Sequence, residues 1–215
     1  MTNNYKTILN HSEGIVIEKK SKFIANIVHV ETQEEAQMFI NEVKAKYFDA
    51  RHNVYAYILL DGNVKRYSDD GEPQGTSGIP SLNVLEGEGL YNVCVVITRY
   101  FGGTLLGTGG LVRAYSGAVK QAIENSKIVT AVKCTNLKLT CDYSLWSKVE
   151  NISESFGVLI KNTDFTHEIC AKVYVKNDVA DNFIKDVTEK TDAKVKIDVW
   201  GECFSFVDGQ GKLVK

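Results

Sequence analysis

Apolar and polar positions alternate along the first half of the chain in patterns that predict both strands and helices. Residues 14–20 and 23–30 have the composition of two paired strands. Residues 52–60 and 64–68 are also strand-like, and the sequence Asp61-Gly62-Asn63 between them is a hairpin-turn signal. The run 93–97 is apolar without alternation, which is typical of a strand covered on both faces.

Two helices are predicted in the same half. Thr32 and Glu35 have the spacing of a capping box, in which each side chain satisfies a free backbone N–H of the other residue. Behind them, apolar residues recur at helical spacing at Ala36, Phe39, Ile40, Val43 and Tyr47. Residues 111–125 show a second amphipathic helical pattern. This half is therefore predicted to be mixed α/β.

After residue 127 the pattern changes. Strand signals at 129–140, 158–165, 169–175 and 193–200 enclose helix signals at 145–156 and 179–190. Gly157 is placed to end the first of these helices, and Asn177 to cap the start of the second. The order β-α-β-β-α-β is that of a ferredoxin-like domain. We therefore expect an α+β protein of two domains, residues 1–128 and 129–215.

The charge balance excludes binding of nucleic acid through bulk positive charge. The 215 residues contain 25 Lys and Arg against 27 Asp and Glu, and residues 1–127 and 128–215 each have a net charge of −1. Any site for a polyanion must therefore be a local patch. The 44% of hydrophobic residues and the two prolines also exclude a disordered or collagen-like chain.

The same composition predicts a cytoplasmic protein. The N-terminal residues lack the pattern of a signal peptide, and no apolar stretch approaches the ~20 residues that span a bilayer. The five cysteines are odd in number and contain no C-x-x-C, so we interpret them as reduced, small apolar residues. The four histidines show no metal-ligand spacing. We expect no membrane segment, metal or cofactor.

Glycine and arginine are distributed unevenly. Eleven of the seventeen glycines lie within residues 71–117, and all four arginines lie within residues 51–113. Most of them belong to two segments, 66–80 and 99–115. This concentration marks the first domain as the place to look for chemistry.

The segment 99–115 lies between the predicted buried strand and a predicted helix. Glycines there expose N–H groups at a helix N-terminus, where anions are stabilised. Gly102 and Gly107 have the spacing of a phosphate loop, but Thr108-Gly109 follows where that loop requires Lys-Ser/Thr. Nucleotide hydrolysis of the P-loop kind is therefore not expected. The alternative is that these glycines only close a crowded strand-to-helix connection.

Three arginines, Arg66, Arg99 and Arg113, are closely followed by a tyrosine. Arginine forms bidentate contacts with phosphate, and tyrosine offers a stacking face to a base, although these tyrosines are also typical core residues. Convergence of the arginines would create a positive cleft on a neutral protein. The candidate residues for binding nucleic acid or another anion are Arg51, Arg66, Tyr67, Gly75, Thr76, Ser77, Arg99, Tyr100, Gly102, Gly103, Gly107, Gly109, Gly110 and Arg113.

Two other functions fit the same region. A hydrolase-like enzyme acting on a small phosphorylated or acyl substrate would combine a carboxylate, a hydroxyl and a base. Its residues would be Asp69, Asp70, Thr76, Ser77, His52 and Arg99. However, the sequence from Asp69 to Pro73 is also strong turn chemistry and lacks the spacing of a calcium loop. A protein-interaction module would instead show an exposed apolar patch beside the cleft.

Four stretches of the chain carry a family resemblance. Residues 20–25, 49–52, 68–80 and 95–115 together resemble the YigZ/IMPACT family, and the resemblance extends less distinctively over the rest of the chain. It implies an N-terminal IMPACT domain with the ribosomal-protein-like α/β fold also found in domain IV of elongation factor G. It further implies a C-terminal domain similar to domain V of that factor.

The resemblance also implies a context in translation. The eukaryotic relatives regulate translation by competing for an activator of a stress kinase, but they do so with an additional recognition domain that we do not expect here. That partner is therefore not carried over. Our leading hypothesis is a non-enzymatic, translation-associated protein that binds RNA or the ribosome, and thus a phosphate-containing ligand, through an Arg/Gly-rich cleft.

Overall fold

The computed structural model describes residues 4–209 and 211–214. They form two compact units, one comprising Tyr5–Val129 and the other beginning at Thr130. Both units combine helices with antiparallel sheets, which confirms an α+β protein of two domains.

The first unit is built around one five-stranded sheet with helices on both sides. Its elements are β1 (Tyr5–Ile8), β2 (Ser12–Glu18), β3 (Ser21–His29), α1 (Gln33–Lys46), β4 (His52–Leu59), β5 (Val64–Ser68), α2 (Gly78–Gly87), β6 (Val93–Tyr100) and α3 (Thr108–Glu124). The sheet has the order β2-β3-β6-β4-β5, with every neighbouring pair antiparallel.

The central strand β6 separates two cores. Val95 and Ile97 pack with residues of α2 and α3, whereas Cys94 and Val96 pack with residues of α1. Successive side chains of a strand point to opposite faces, so an uninterrupted apolar run is buried on both sides, as predicted. We refer to the two sides of this sheet as the α2/α3 face and the α1 face.

At the start of α1 the capping contacts differ in one partner from the prediction, and helix α2 was not predicted. Thr32 accepts a hydrogen bond from the Glu35 N–H, as the capping box predicts, but the Glu35 carboxylate accepts from the N–H of Glu31 instead of that of Thr32. The sequence pattern does not predict helix α2, because Gly78 and Pro80 resemble a turn. Pro80 lies in the first turn of that helix, where its missing N–H breaks no intrahelical hydrogen bond.

The second unit has helices on only one face of its sheet. Its elements are β7 (Ile128–Cys141), α4 (Tyr143–Ser155), β8 (Leu159–Phe165), β9 (Ile169–Lys176), α5 (Ala180–Lys190), β10 (Lys196–Val207) and β11 (Leu213–Val214). The strands follow the order β11-β10-β7-β9-β8. Leu137, Val173 and Phe183 are fully buried between this sheet and its two helices.

Of the two helix-capping residues predicted in this unit, Gly157 is confirmed and Asn177 is wrong. Gly157 follows α4 with a φ of +64°, the left-handed conformation expected of a residue that ends a helix. Asn177 does not cap α5, because that helix begins after Val179; its side chain accepts from Thr135 and donates to Glu202. Within the described residues, no helix has the length and apolar character needed to cross a membrane.

Candidate functional site

Asp69 organises the loop between β5 and α2. Its carboxylate accepts hydrogen bonds from the N–H groups of Gly75 (2.8 Å), Ser77 (3.2 Å) and Gly78 (2.8 Å), and from the Ser77 hydroxyl (2.6 Å). Burial raises the pKa of Asp69, but these hydrogen bonds outweigh that effect and lower it below its ordinary value. Asp69 therefore caps α2 from outside the helix. The Thr76 hydroxyl is used within the same loop, where it donates to the Pro73 carbonyl.

Arg99, at the end of β6, forms a buried ion pair with Glu72. Its Nη1 lies 2.6 and 2.9 Å from the two carboxylate oxygens. The Tyr115 hydroxyl donates to the same carboxylate at 2.8 Å; burial and the charge of Glu72 raise the pKa of Tyr115, so the phenol keeps its proton. Glu72 thus offsets the charge of Arg99, which was expected to be free for phosphate.

One edge of the Arg99 guanidinium remains unsatisfied. Its Nε is buried and has no hydrogen-bond partner within the described residues, although the side chain is only 7% exposed. The rings of Phe23 and Phe101 lie 5.5 and 5.6 Å from the guanidinium carbon and hold its plane. Buried donors without an acceptor are rare in folded proteins, so this edge is an unsatisfied polar position within the interior of the first unit.

A cavity of about 250 Å³ lies beside the ion pair. It is lined by Arg51, His52, Arg99, Phe101 and Leu105. Phe101 and Leu105 are 58% and 82% exposed, so two large apolar side chains border the cavity at the surface. The cavity therefore combines an exposed aromatic ring with cationic groups.

Asp70 forms hydrogen bonds with three residues near the cavity, His52, Lys44 and Asn53. His52 Nδ1 lies 2.8 Å from the Asp70 carbonyl oxygen, and since a carbonyl only accepts, Nδ1 carries the hydrogen. The Asp70 carboxylate accepts from Lys44 Nζ (3.0 Å) and from the Asn53 N–H (2.7 Å). Asp70 is thus engaged in fixing the loop and the orientation of His52.

The glycine-rich loop after β6 is shaped by close packing and by left-handed backbone. A Cβ on Gly102 would overlap the carbonyl carbon of Lys20, so the β2–β3 turn leaves room only for glycine. Gly103 and Gly107 have φ values of +83° and +71°. The close packing at Gly102 and the positive φ values at Gly103 and Gly107 support the structural interpretation of these three glycines.

The loop leads into the N-terminus of α3, which has no side-chain cap. Gly107 occupies the N-cap position, so the N–H groups of Thr108, Gly109 and Gly110 have no intrahelical acceptor. Arg113 Nη1 lies 3.7 Å from the position that a Cβ on Gly109 would take, and the Arg113 side chain is exposed. A cation and the positive end of a helix dipole therefore lie together.

The structure does not bring all the predicted residues to one place. Arg66 lies opposite Tyr57, whose side chain packs on the α1 face, whereas Arg99 lies on the α2/α3 face. Tyr100 also faces α1 and donates to Asp49, and Tyr67 packs over Gly78. The expected convergence of four arginines is therefore wrong for Arg66, because residues of opposite strand parity lie on opposite faces of a sheet.

Sequence reasoning missed the roles that three residues have in this region. Glu72 lies in a segment with the composition of a turn, and its neighbours in the chain do not indicate that its side chain reaches Arg99. Phe101 and Leu105 lie within the glycine-rich segment but are not among the predicted binding residues. Their apolar character in a loop of small and polar residues was the available signal.

The groups of the hydrolase-like alternative do not meet at the cavity. Ser77 is fully buried and donates to Asp69, and neither residue lines the cavity that contains His52. Within the described part of the chain, no three His, Cys, Asp or Glu side chains form a group that could hold a metal ion.

Comparison with known proteins identifies the family. The model of the Impact N-terminal domain matches residues 19–123, and a domain of unknown function (DUF1949) matches residues 139–194. The chain is 34% identical over 198 residues to IMPACT family member YvyE of Bacillus subtilis, a match that covers 92% of this chain and 91% of YvyE. It is 37% identical over 158 residues to IMPACT family member YigZ of Escherichia coli, covering 72% and 78% of the two chains.

A solved structure agrees with these matches. The crystal structure of a hypothetical protein with 29% sequence identity superposes with a TM-score of 0.62 and covers 94% of this chain and 99% of its own. The matched family model includes the ion pair, the cavity and the glycine-rich loop described above. The chain therefore belongs to the IMPACT family.

Proposed function

We propose that this protein is a non-enzymatic, translation-associated factor that binds single-stranded RNA, such as an exposed segment of the ribosome, at the cavity beside Arg99. The observation that carries the proposal is the exposed ring of Phe101 in a cavity that Arg51 and Arg99 also line. A base stacks on an exposed aromatic ring, while its phosphates contact arginine.

The cavity is small. It measures about 250 Å³, which is near the lower end of the roughly 300–1,000 Å³ usual for small-ligand pockets. A space of this size suits one base or phosphate of a ligand that continues over the surface. The α3 N-terminus and Arg113 provide further anion-binding groups on the same chain segment.

The fold supports the same context. The second unit has the element order β-α-β-β-α-β. We infer from it the ferredoxin-like plan similar to domain V of elongation factor G, and from the family resemblance a domain IV-like first unit. The translation context comes from that resemblance, and the proposal therefore includes a cytoplasmic location and a role in regulating translation.

The test compares an arginine that lines the cavity, Arg51, with one that lies on the α1 face, Arg66. We expect R51E and F101A to weaken binding of fluorescein-labelled poly(U) and of ribosomes, and R51E to lower the salt dependence by about 0.7 for each phosphate that it no longer binds. R66E is the matched control, since Arg66 is exposed on the α1 face and, among the residues that the structure describes, its guanidinium donates to the Lys65 carbonyl and not to a carboxylate. Equal binding by R51E, F101A and R66E would refute the proposal.

A protein-binding surface is the second candidate, because Phe101 and Leu105 are large, apolar and exposed side by side. It predicts that L105A abolishes capture of ribosomes while R51E and salt have little effect. RNA binding at the cavity predicts instead that R51E weakens the capture of ribosomes more than L105A does.

A further inference from the structure

The sheet of the second unit has one face without helices, which we call the open face. Lys138 lies between Leu137 and Leu139, and Lys172 lies between Ala171 and Val173; these four apolar neighbours are buried under α4 and α5. Since side chains alternate along a strand, both lysines point away from the helices. Both are exposed, so the open face presents cations to solvent.

Lys138 and Lys172 are directly opposed across β7 and β9. Like charges at opposed positions repel, because their Cβ atoms lie roughly 4.5–5.5 Å apart. The one carboxylate that faces Lys138 from β10, that of Asp198, forms its ion pair with Lys196 at 3.1 Å. The sheet thus holds two adjacent positive charges in an arrangement that an external anion would relieve.

Aromatic rings lie beside these lysines. Trp200 is 52% exposed, next to a bulge of β10 at Gly201, and Lys172 Nζ lies 5.9 Å from its ring centroid. Lys161 Nζ lies at the same distance from the ring of Tyr174, a residue of β9 with the same strand parity as Lys172. Lys138, Lys172 and the ring of Trp200 are therefore exposed together on this face, whereas Tyr174 is half-buried against Cys134 and Leu213.

We propose that the open face is a second binding surface for single-stranded RNA. Phosphates contact Lys138 and Lys172, and a base stacks on Trp200. Exposed lysines beside an exposed aromatic ring match both the backbone and the bases of a single strand, whereas phosphates alone would use only the lysines. This inference does not require the cavity beside Arg99, which belongs to the other unit.

The two tryptophans of the chain allow a direct test. Trp146 lies on α4 and packs edge-on against Phe165, so it reports on the helical side, whereas Trp200 reports on the open face. W146F and W200F each retain a single tryptophan. We expect poly(U) to quench the emission of W146F and to leave that of W200F nearly unchanged, with inorganic polyphosphate causing little quenching in either.

Charge reversal tests the lysines. K172E replaces the repulsion with Lys138 by attraction, so the variant is expected to fold at least as well as the parent while its affinity for poly(U) falls about tenfold or more. The salt slope should also fall by about 0.7 for each phosphate that the variant no longer binds. The matched control is K185E, since Lys185 is 69% exposed on α5, on the helical side of the same unit.

The outcomes separate this proposal from the one above. If R51E weakens overall RNA binding while Trp200 quenching persists, both surfaces bind RNA. If R51E leaves the overall affinity unchanged and Trp200 is still quenched, RNA binds at the open face and not at the cavity. Unchanged Trp200 emission on addition of poly(U), or equal affinities of K172E and K185E, would overturn the inference. Equal quenching by polyphosphate would also overturn it, because stacking of a base would then not be the cause.

Discussion

The guanidinium of Arg99 and the carboxylate of Glu72 lie 2.6 Å apart in the interior of the first unit, although 27 residues separate them in the chain. Tyr115 joins the same carboxylate from α3. This contact ties the β5–α2 loop to the central strand and to the helix that follows the glycine-rich loop. Because Glu72 neutralises Arg99, the positive charge near the cavity and the glycine-rich loop comes chiefly from Arg51 and Arg113.

Removing one partner of this ion pair should destabilise the protein strongly. Glu72→Gln leaves a buried, uncompensated guanidinium, so we expect a loss of about 3–5 kcal/mol in the free energy of unfolding. Urea titration at neutral pH measures it. The double variant E72M/R99M should be more stable than E72Q, because it removes both charges together. An E72Q protein as stable as the parent would contradict this role of the pair.

The stability contributed by Asp69 should depend on pH in the acid range. Because its pKa is lowered in the folded protein, the group stabilises the fold above its unfolded pKa of about 3.9, and this contribution is lost as the pH falls through the folded value. Asp69→Asn should therefore cost about 1.5–3 kcal/mol at neutral pH, as expected for hydrogen bonds to a charged group.

Urea unfolding of D69N and the parent across the acid range checks this sign. The difference in unfolding free energy should be constant near neutral pH and shrink below about pH 4. A difference that stays constant down to full protonation would show that the carboxylate charge is not involved.

Gly102→Ala should be poorly tolerated because its Cβ would overlap backbone atoms, namely the Lys20 carbonyl carbon and the Ser21 nitrogen. Backbone cannot move aside as a flexible side chain can, so we expect a loss of at least about 2 kcal/mol or a displaced loop. Gly87→Ala is the control, since nothing lies within 4 Å of its added Cβ and alanine favours helix. Thermal unfolding compares the two, and equal melting temperatures would refute the packing argument.

Cys94 and Cys134 should resist thiol reagents in the folded protein. Burial raises the pKa of Cys134 to about 12 and that of Cys94 further, so neither forms thiolate near pH 8. Residue-resolved mass spectrometry after alkylation should find both unmodified in the native state and modified in urea. The half-buried Cys170 and Cys203 provide the internal comparison. Rapid native alkylation of Cys94 would show that the core opens locally.

Several elements followed directly from the sequence pattern. The apolar stripe behind Thr32 predicted α1, and the unbroken run 93–97 predicted the doubly covered strand β6. The sequence pattern did not predict helix α2, because this short, proline-containing helix depends on a cap at Gly78 that Asp69 supplies. A cap that comes from outside the local sequence leaves no periodic signal.

The same division applies to the candidate site. By itself, the sequence determined the family, the α+β alternation, and the segment in which arginine and glycine are concentrated, because these depend on local residue order. Only the tertiary structure decided that Arg66 and Arg99 lie on opposite faces, that Glu72 neutralises Arg99, and that Phe101 borders a cavity. Those outcomes depend on strand pairing and long-range contacts, in which register and chain reversal, and not spacing along the chain, determine which side chains meet.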